Sequence, residues 1–294
     1  METTDTSVKR RYWGKTIISF LVVLFAMPLG HALMILMEHF LEPSVMHSAA
    51  FAMGAVGLAI AITGVFVKGD TRQTLLGLAG GLLFWTGWVE FLLKYYADRY
   101  GVMPEIVGGE IVTQPEYLIM PATFGFWMMI MIVYIFCAKT GCLFITWIQK
   151  RIFGKKKDTI VTRPLTRHTS ITTFMELNMM MWACYLLLMF CYDPEFIGDH
   201  SPVTLAIGAG CLIGSFFMFA KELKIASWGA NIRMAIATVI VFWTPVEIMG
   251  RINLFNEIWV APMEHITEMS IILAAFILLA AFLIFNAVRK KKRC

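Results

Sequence analysis

The chain has 294 residues, of which 59% are hydrophobic and 15% charged, with a mean hydropathy of +0.71 and a formal net charge of +5. This composition excludes a disordered chain and a soluble globular domain, and six cysteines are too sparse for a disulfide scaffold. It matches a multi-span α-helical membrane protein, in which each crossing needs about 20 mostly apolar residues.

Eight stretches reach that length: 17–37, 47–67, 75–95, 118–138, 171–192, 203–220, 234–250 and 266–288. Their apolar residues run continuously rather than alternating, which predicts helices rather than a barrel. The first run follows Lys9, Arg10, Arg11 and Lys15. It is too long for a signal peptide and no small-residue cleavage motif follows, so a retained anchor is expected.

Charge sets the expected orientation. Of the 25 Lys and Arg residues, 22 fall before the first run, in alternate loops and after the last run. Only Lys94, Arg99 and Arg251 fall on the other side. The positive-inside rule then puts both termini in the cytoplasm of a cell (inner or cytoplasmic) membrane. The basic clusters are expected against anionic lipid headgroups, and nucleic acid is not indicated as a partner. The opposite side is acidic and holds five of the six histidines, all but His168. Tyr95, Tyr96, Tyr100, Tyr117 and Trp259 fit an aromatic belt at that interface. Cys137 and Cys142 make only a weak metal motif and read as reduced thiols.

A local repeat is visible. Phe84-Trp85-Thr86-Gly87-Trp88-Val89-Glu90 is followed four residues on by Lys94, and Phe242-Trp243-Thr244-Pro245-Val246-Glu247 by Arg251. The expected fold is therefore an all-α polytopic membrane protein with eight transmembrane helices. They form two same-orientation four-helix repeats, 1–150 and 171–294, joined by a basic cytoplasmic linker, 151–170. Glycines in the second, third and sixth runs suit close helix packing.

Two constellations carry candidate chemistry. Glu90 and Glu247 hold equivalent places within spans, where a carboxylate is expensive and marks a functional site by default. With His31, which lies deep in the first run, they are candidates for binding or coupling a cation. Against this, Lys94 and Arg251 are four residues on and suit intrahelical ion pairs with the two glutamates. The second constellation is a doubled E-H-x-x-E: Glu38, His39 and Glu42, then Glu264, His265 and Glu268, with His47 nearby. Such a donor set suits Zn, Mn or Fe, and Cu less well. Its structural alternative is polar residues solvating two helix ends.

No P-loop, dinucleotide fingerprint or nucleophile elbow is present. Three functions fit what remains. The first is a transporter or permease for a proton, metal ion or organic cation. The second is a membrane metallo-oxidoreductase, or its metal-bearing subunit, with a site at the outer leaflet. The third is a non-catalytic subunit or scaffold of a larger membrane complex.

Overall fold

The computed structural model describes residues 11–107, 110–139, 143–154, 163–164 and 168–289. The Cys137–Cys142 pair and most of the basic linker lie outside what is described, as side chains or altogether. Among the described residues, eight helical segments are long and apolar enough to cross a membrane. The chain is an integral, multi-pass, helical membrane protein.

The first two spans are α1 (Trp13–Phe40) and α2 (Pro43–Gly64). The third is continuous but not uniform: α3 (Asp70–Phe84) passes through a π-helical turn, Trp85–Glu90, into α4 (Phe91–Arg99). A short antiparallel pair, β1 (Glu105–Val107) and β2 (Glu110–Thr113), follows outside the spans. The fourth span is broken at its start. α5 (Pro115–Ile119) gives way to a 3₁₀ turn, Met120–Thr123, carrying Pro121, before α6 (Phe124–Cys137).

Two residues of β3 (Ala138–Lys139) pair in parallel with β4 (Arg163–Pro164), and α7 (Leu143–Phe153) lies between them in sequence. Hydropathy alone does not mark α7, because Lys150 and Arg151 fill its last turn. The remaining spans are α8 (Thr169–Tyr192), α9 (Pro202–Glu222), α10 (Trp228–Arg251) and α11 (Ile266–Arg289). Helix α9 starts on a side-chain cap: Ser201 Oγ accepts from Val203 N at 3.3 Å, with Pro202 in the first turn.

Burial sorts the spans into an inner and an outer set. Over their most apolar windows, α8 and the third span are 56% buried and α10 is 61% buried, against 11% for α11. The core joins Val22 and Val23 of α1, Leu78 of α3, Trp85 and Val89 of the π turn, Leu177 and Met181 of α8, and Ile232, Ile236 and Val239 of α10. Ile271, Leu278, Ile284 and Phe285 of α11, and Phe216 and Phe217 of α9, remain exposed. These faces meet the bilayer, where apolar exposure costs nothing.

The packing partners are reciprocal. α1 lies on α10, and α8 lies on α3; α2 lies on α3, and α9 lies on α10; α3 and α10 also meet. Glycine makes one of these contacts very close. A Cβ on Gly80 would stand 2.6 Å from Gly57 O, and one on Gly57 would stand 2.7 Å from Gly80 O. Backbone then packs on backbone between α2 and α3. By contrast, Gly210 and Gly214 of α9 face open space, so the small-residue expectation holds for the second and third runs but not for these two positions. At the basic end, Arg233 Nη1 of α10 donates to Asp70 Oδ1 of α3 at 2.9 Å and fastens the inner helices together.

Candidate functional site

A cavity of about 370 Å³ opens at the acidic end of the bundle and reaches down between α1, the third span, α8 and α10. Its lining includes His31, Glu38, Glu90, Lys94, Glu116, Glu247, Arg251 and Glu257. His31, Glu90 and Glu247, the three residues expected to bind or couple a cation, therefore share one space.

The backbone puts the two carboxylates there by different means. Between Trp85 and Glu90 there are five steps, and Phe91 N bonds Thr86 O, five residues back, which is a π turn. Between Trp243 and Glu247 there are four steps in an ordinary α-helix. The one-residue difference between the two sequence motifs is absorbed as that π turn, so each Trp-to-Glu pair spans one helical turn. The extra side chain, Trp88, points into the α2 contact. Its Nε1 donates to Phe51 O at 2.9 Å, and its indole fills the space a Gly54 side chain would need. Gly87 is required here: a Cβ would stand 2.5 Å from Gly54 N and 2.6 Å from Ala50 O.

The expected intrahelical ion pairs do not form. Lys94 Nζ reaches Glu38 Oε1 at 3.6 Å and Asp98 Oδ2 at 3.9 Å. Arg251 turns out to the loops: Nη2 donates to Glu105 Oε2 at 3.1 Å, Nε to Asp199 Oδ2 at 3.2 Å, and Nη1 to Thr113 Oγ1 at 2.6 Å. Its guanidinium also lies 4.9 Å from the Tyr192 ring centre. Helical spacing permits an i,i+4 pair with each glutamate, but Glu38 and Asp98 lie closer to Lys94, and Glu105 and Asp199 closer to Arg251.

Released from those bases, the glutamates bond otherwise. Glu90 Oε1 is 2.9 Å from His31 Nδ1, across α1 and the π turn. Glu247 Oε1 accepts from Trp243 Nε1 at 2.5 Å within its own helix. Two further carboxylates face the cavity. Glu116 is buried in α5, and its Oε2 has no hydrogen-bond partner among the described residues. Glu257 comes from the loop after α10 and packs where a side chain on Gly250 would clash with it. Burial, reinforced by the Glu247 charge, pushes the Glu257 carboxyl up to about 7, against the pull of His31 and Arg251. Asp199 moves the other way. Burial alone would raise it, but hydrogen bonds and charge from His200 and Arg251 hold it below the usual carboxylate range.

The residues expected to ligate a metal are dispersed. Glu38 is turned to Lys94. His39 lies edge-on to Phe40, and His47 packs on Tyr95 and Phe91. Glu42 is exposed at the α2 cap, and Glu264 and Glu268 are exposed around His265 at the start of α11. Among the described residues, no three His, Cys, Asp or Glu side chains gather closely enough to hold a metal ion. A Zn, Mn, Fe or Cu centre would need several of these donors on one point.

Tyr117 and Trp259 fit an interfacial belt by sequence, but both line the cavity, together with Tyr185, Glu116 and Glu257, which no motif marks. Pro115 just before Glu116 was the one local signal, since it opens a helix whose first turn favours a carboxylate. Comparison with protein-family models, with curated proteins and with solved structures finds no match.

Proposed function

We propose that the chain is a transporter or permease for a cation, with Glu90, Glu247 and His31 as its binding and coupling groups. The observation that carries this reading is the convergence of Glu90 and Glu247 on one cavity, from separate spans, with both i+4 bases drawn away to other carboxylates. Carboxylates kept at membrane depth at this cost, and facing a cavity, suit transient charge compensation of a passing cation. The acidic mouth would raise local cation concentration.

The same reading takes the acidic end as extracytoplasmic and both termini as cytoplasmic, in a cell membrane. The charge asymmetry of the loops supports this. It takes the chain as two four-helix halves related by an axis along the membrane normal. The paired Phe-Trp-Thr motifs and the reciprocal packing of α1 on α10 and α8 on α3 support that relation.

The test is flux in proteoliposomes at controlled internal and external pH. The wild-type chain is expected to carry a saturable cation flux. Glu90→Gln with Glu247→Gln should lower it at least about 100-fold, each neutral amide leaving one charge uncompensated. Unchanged flux in the double variant, with the same melting temperature, would overturn the carboxylate mechanism.

A further inference from the structure

We infer that the substrate class of this cavity is a small organic cation, an alkylammonium or guanidinium, rather than a metal ion or a proton alone. This deepens the transport reading and rests on it.

Aromatic faces make the first argument. Trp85 and Tyr185 stack with ring centres 5.6 Å apart at 18°, and Tyr117 stacks on Tyr185 at 5.4 Å and 11°. Trp243 and Trp259 meet at 4.9 Å elsewhere in the lining. All five line the same cavity as Glu90 and Glu247. Aromatic faces attract a diffuse, weakly hydrated cation, and gain most when the site is removed from water. They offer little to a compact metal ion, which needs several oxygen or nitrogen donors at short range.

Size makes the second argument. A space of about 370 Å³ lies within the range of small-molecule sites, far above that of a dehydrated inorganic ion. The third argument is chemical and internal. Arg251 already sits with its guanidinium against the Tyr192 ring at the mouth of this cavity, while carboxylates hold its edges. A ring face plus a carboxylate is thus a pairing this site already makes with an organic cation of its own. Deeper in, Trp243 is held by Glu247 through its indole N–H, which puts an aromatic ring directly beside the charge.

The test uses the full chain in lipid nanodiscs, with binding followed by tryptophan fluorescence and by calorimetry at constant ionic strength. The probes are ammonium, methylammonium, tetramethylammonium, choline, guanidinium, Na⁺ and Mg²⁺. Saturable binding is expected for choline and tetramethylammonium, tightening with methylation, and absent for Na⁺ and Mg²⁺. Tyr185→Phe keeps the ring face and should keep the affinity, whereas Tyr185→Leu should weaken it roughly 3- to 30-fold. Glu90→Gln with Glu247→Gln should weaken it further. Equal affinities for Tyr185→Phe and Tyr185→Leu would overturn the aromatic role. Absence of organic-cation binding, alongside a Glu90- and Glu247-dependent flux of protons or inorganic cations, would overturn the substrate class and leave the transport reading intact. Absence of any binding or flux dependent on those glutamates would overturn both.

Discussion

From Trp85 to Glu90 the chain takes five steps through a π turn; from Trp243 to Glu247 it takes four through an α turn. Both deliver a carboxylate to the same cavity, but each is held by a different kind of partner. Glu247 takes its hydrogen bond from Trp243 of its own helix, so its position is set locally. Glu90 meets His31 of α1, so its position depends on how two helices pack. The surroundings differ in the same sense. Gly87 and Trp88 bind the π turn tightly to α2, whereas Pro245 occupies the matching place in α10. Similar sequence has produced one self-contained carboxylate and one that reports on helix packing.

Single-residue deletions should separate the two segments most sharply. Deleting Val246 rotates Glu247 and Arg251 by about 100° around α10. Flux is expected to fall more than about 100-fold, because a side chain turned off the cavity contributes nothing to transition across it. Deleting Trp88 should convert the π turn to an α turn and keep Glu90 in register. Its cost should match Trp88→Ala, about 3–5 kcal/mol from lost indole packing, measured by thermal melting. Equal loss of flux in the two deletions would break the comparison.

Gly87→Ala comes next. The new methyl meets the backbone of Ala50 and Gly54, and a cost of about 3 kcal/mol is expected. Gly214→Ala faces open space and should raise stability by up to about 1 kcal/mol through helix propensity. The melting temperatures of the two variants, read together, check the assignment of close and open faces.

A smaller effect should distinguish the partners. His31→Ala leaves Glu90 without its cross-helix hydrogen bond, and Trp243→Phe does the same to Glu247 while keeping a ring. Each should weaken cation binding by about tenfold, as expected for loss of one hydrogen bond to a charged group. Only His31→Ala should also loosen α1 against the third span, seen as faster amide exchange there.

The smallest effect is a pH dependence. Burial pushes the Glu257 carboxyl up to about 7, so raising the pH from 6 to 8 should add negative charge to the cavity. Cation affinity should rise a few-fold over that interval, and Glu257→Gln should flatten the rise. For stability the sign is reversed. A carboxyl raised above its unfolded value favours the fold at low pH and ceases to do so as pH rises through 7. The wild type should lose stability over that interval relative to Glu257→Gln, which denaturation at pH 6 and 8 would show.

The spans were legible because each is a continuous apolar run, a signal that survives any packing arrangement. Their ends were not: α10 extends back to Trp228 through the polar residues Asn231 and Arg233, which hydropathy discounts but Asp70 and Thr16 satisfy. Glu90, Glu247 and His31 stood out because charge within a span is rare. Their partners did not, since i,i+4 spacing suggests neighbours along one helix and says nothing of neighbours across helices. The aromatic wall was hidden for a related reason. In a chain with 23 Phe, 9 Trp and 8 Tyr, a ring facing a cavity looks in sequence like a ring facing lipid.

Arg251 joins three stretches far apart in the chain: the end of α10, the β1–β2 hairpin through Glu105 and Thr113, and the loop before α9 through Asp199. Two of the three, the end of α10 through Arg251 and the hairpin through Thr113, line the cavity. On the transport reading, a cation passes the cavity mouth only as these charge pairs part, and because the Arg251 side chain is only 6% exposed, salt screens them little. The rate at which a bound cation leaves would then vary little with ionic strength, and residence time and affinity would be set separately, one by a single buried guanidinium and the other by the deep carboxylates.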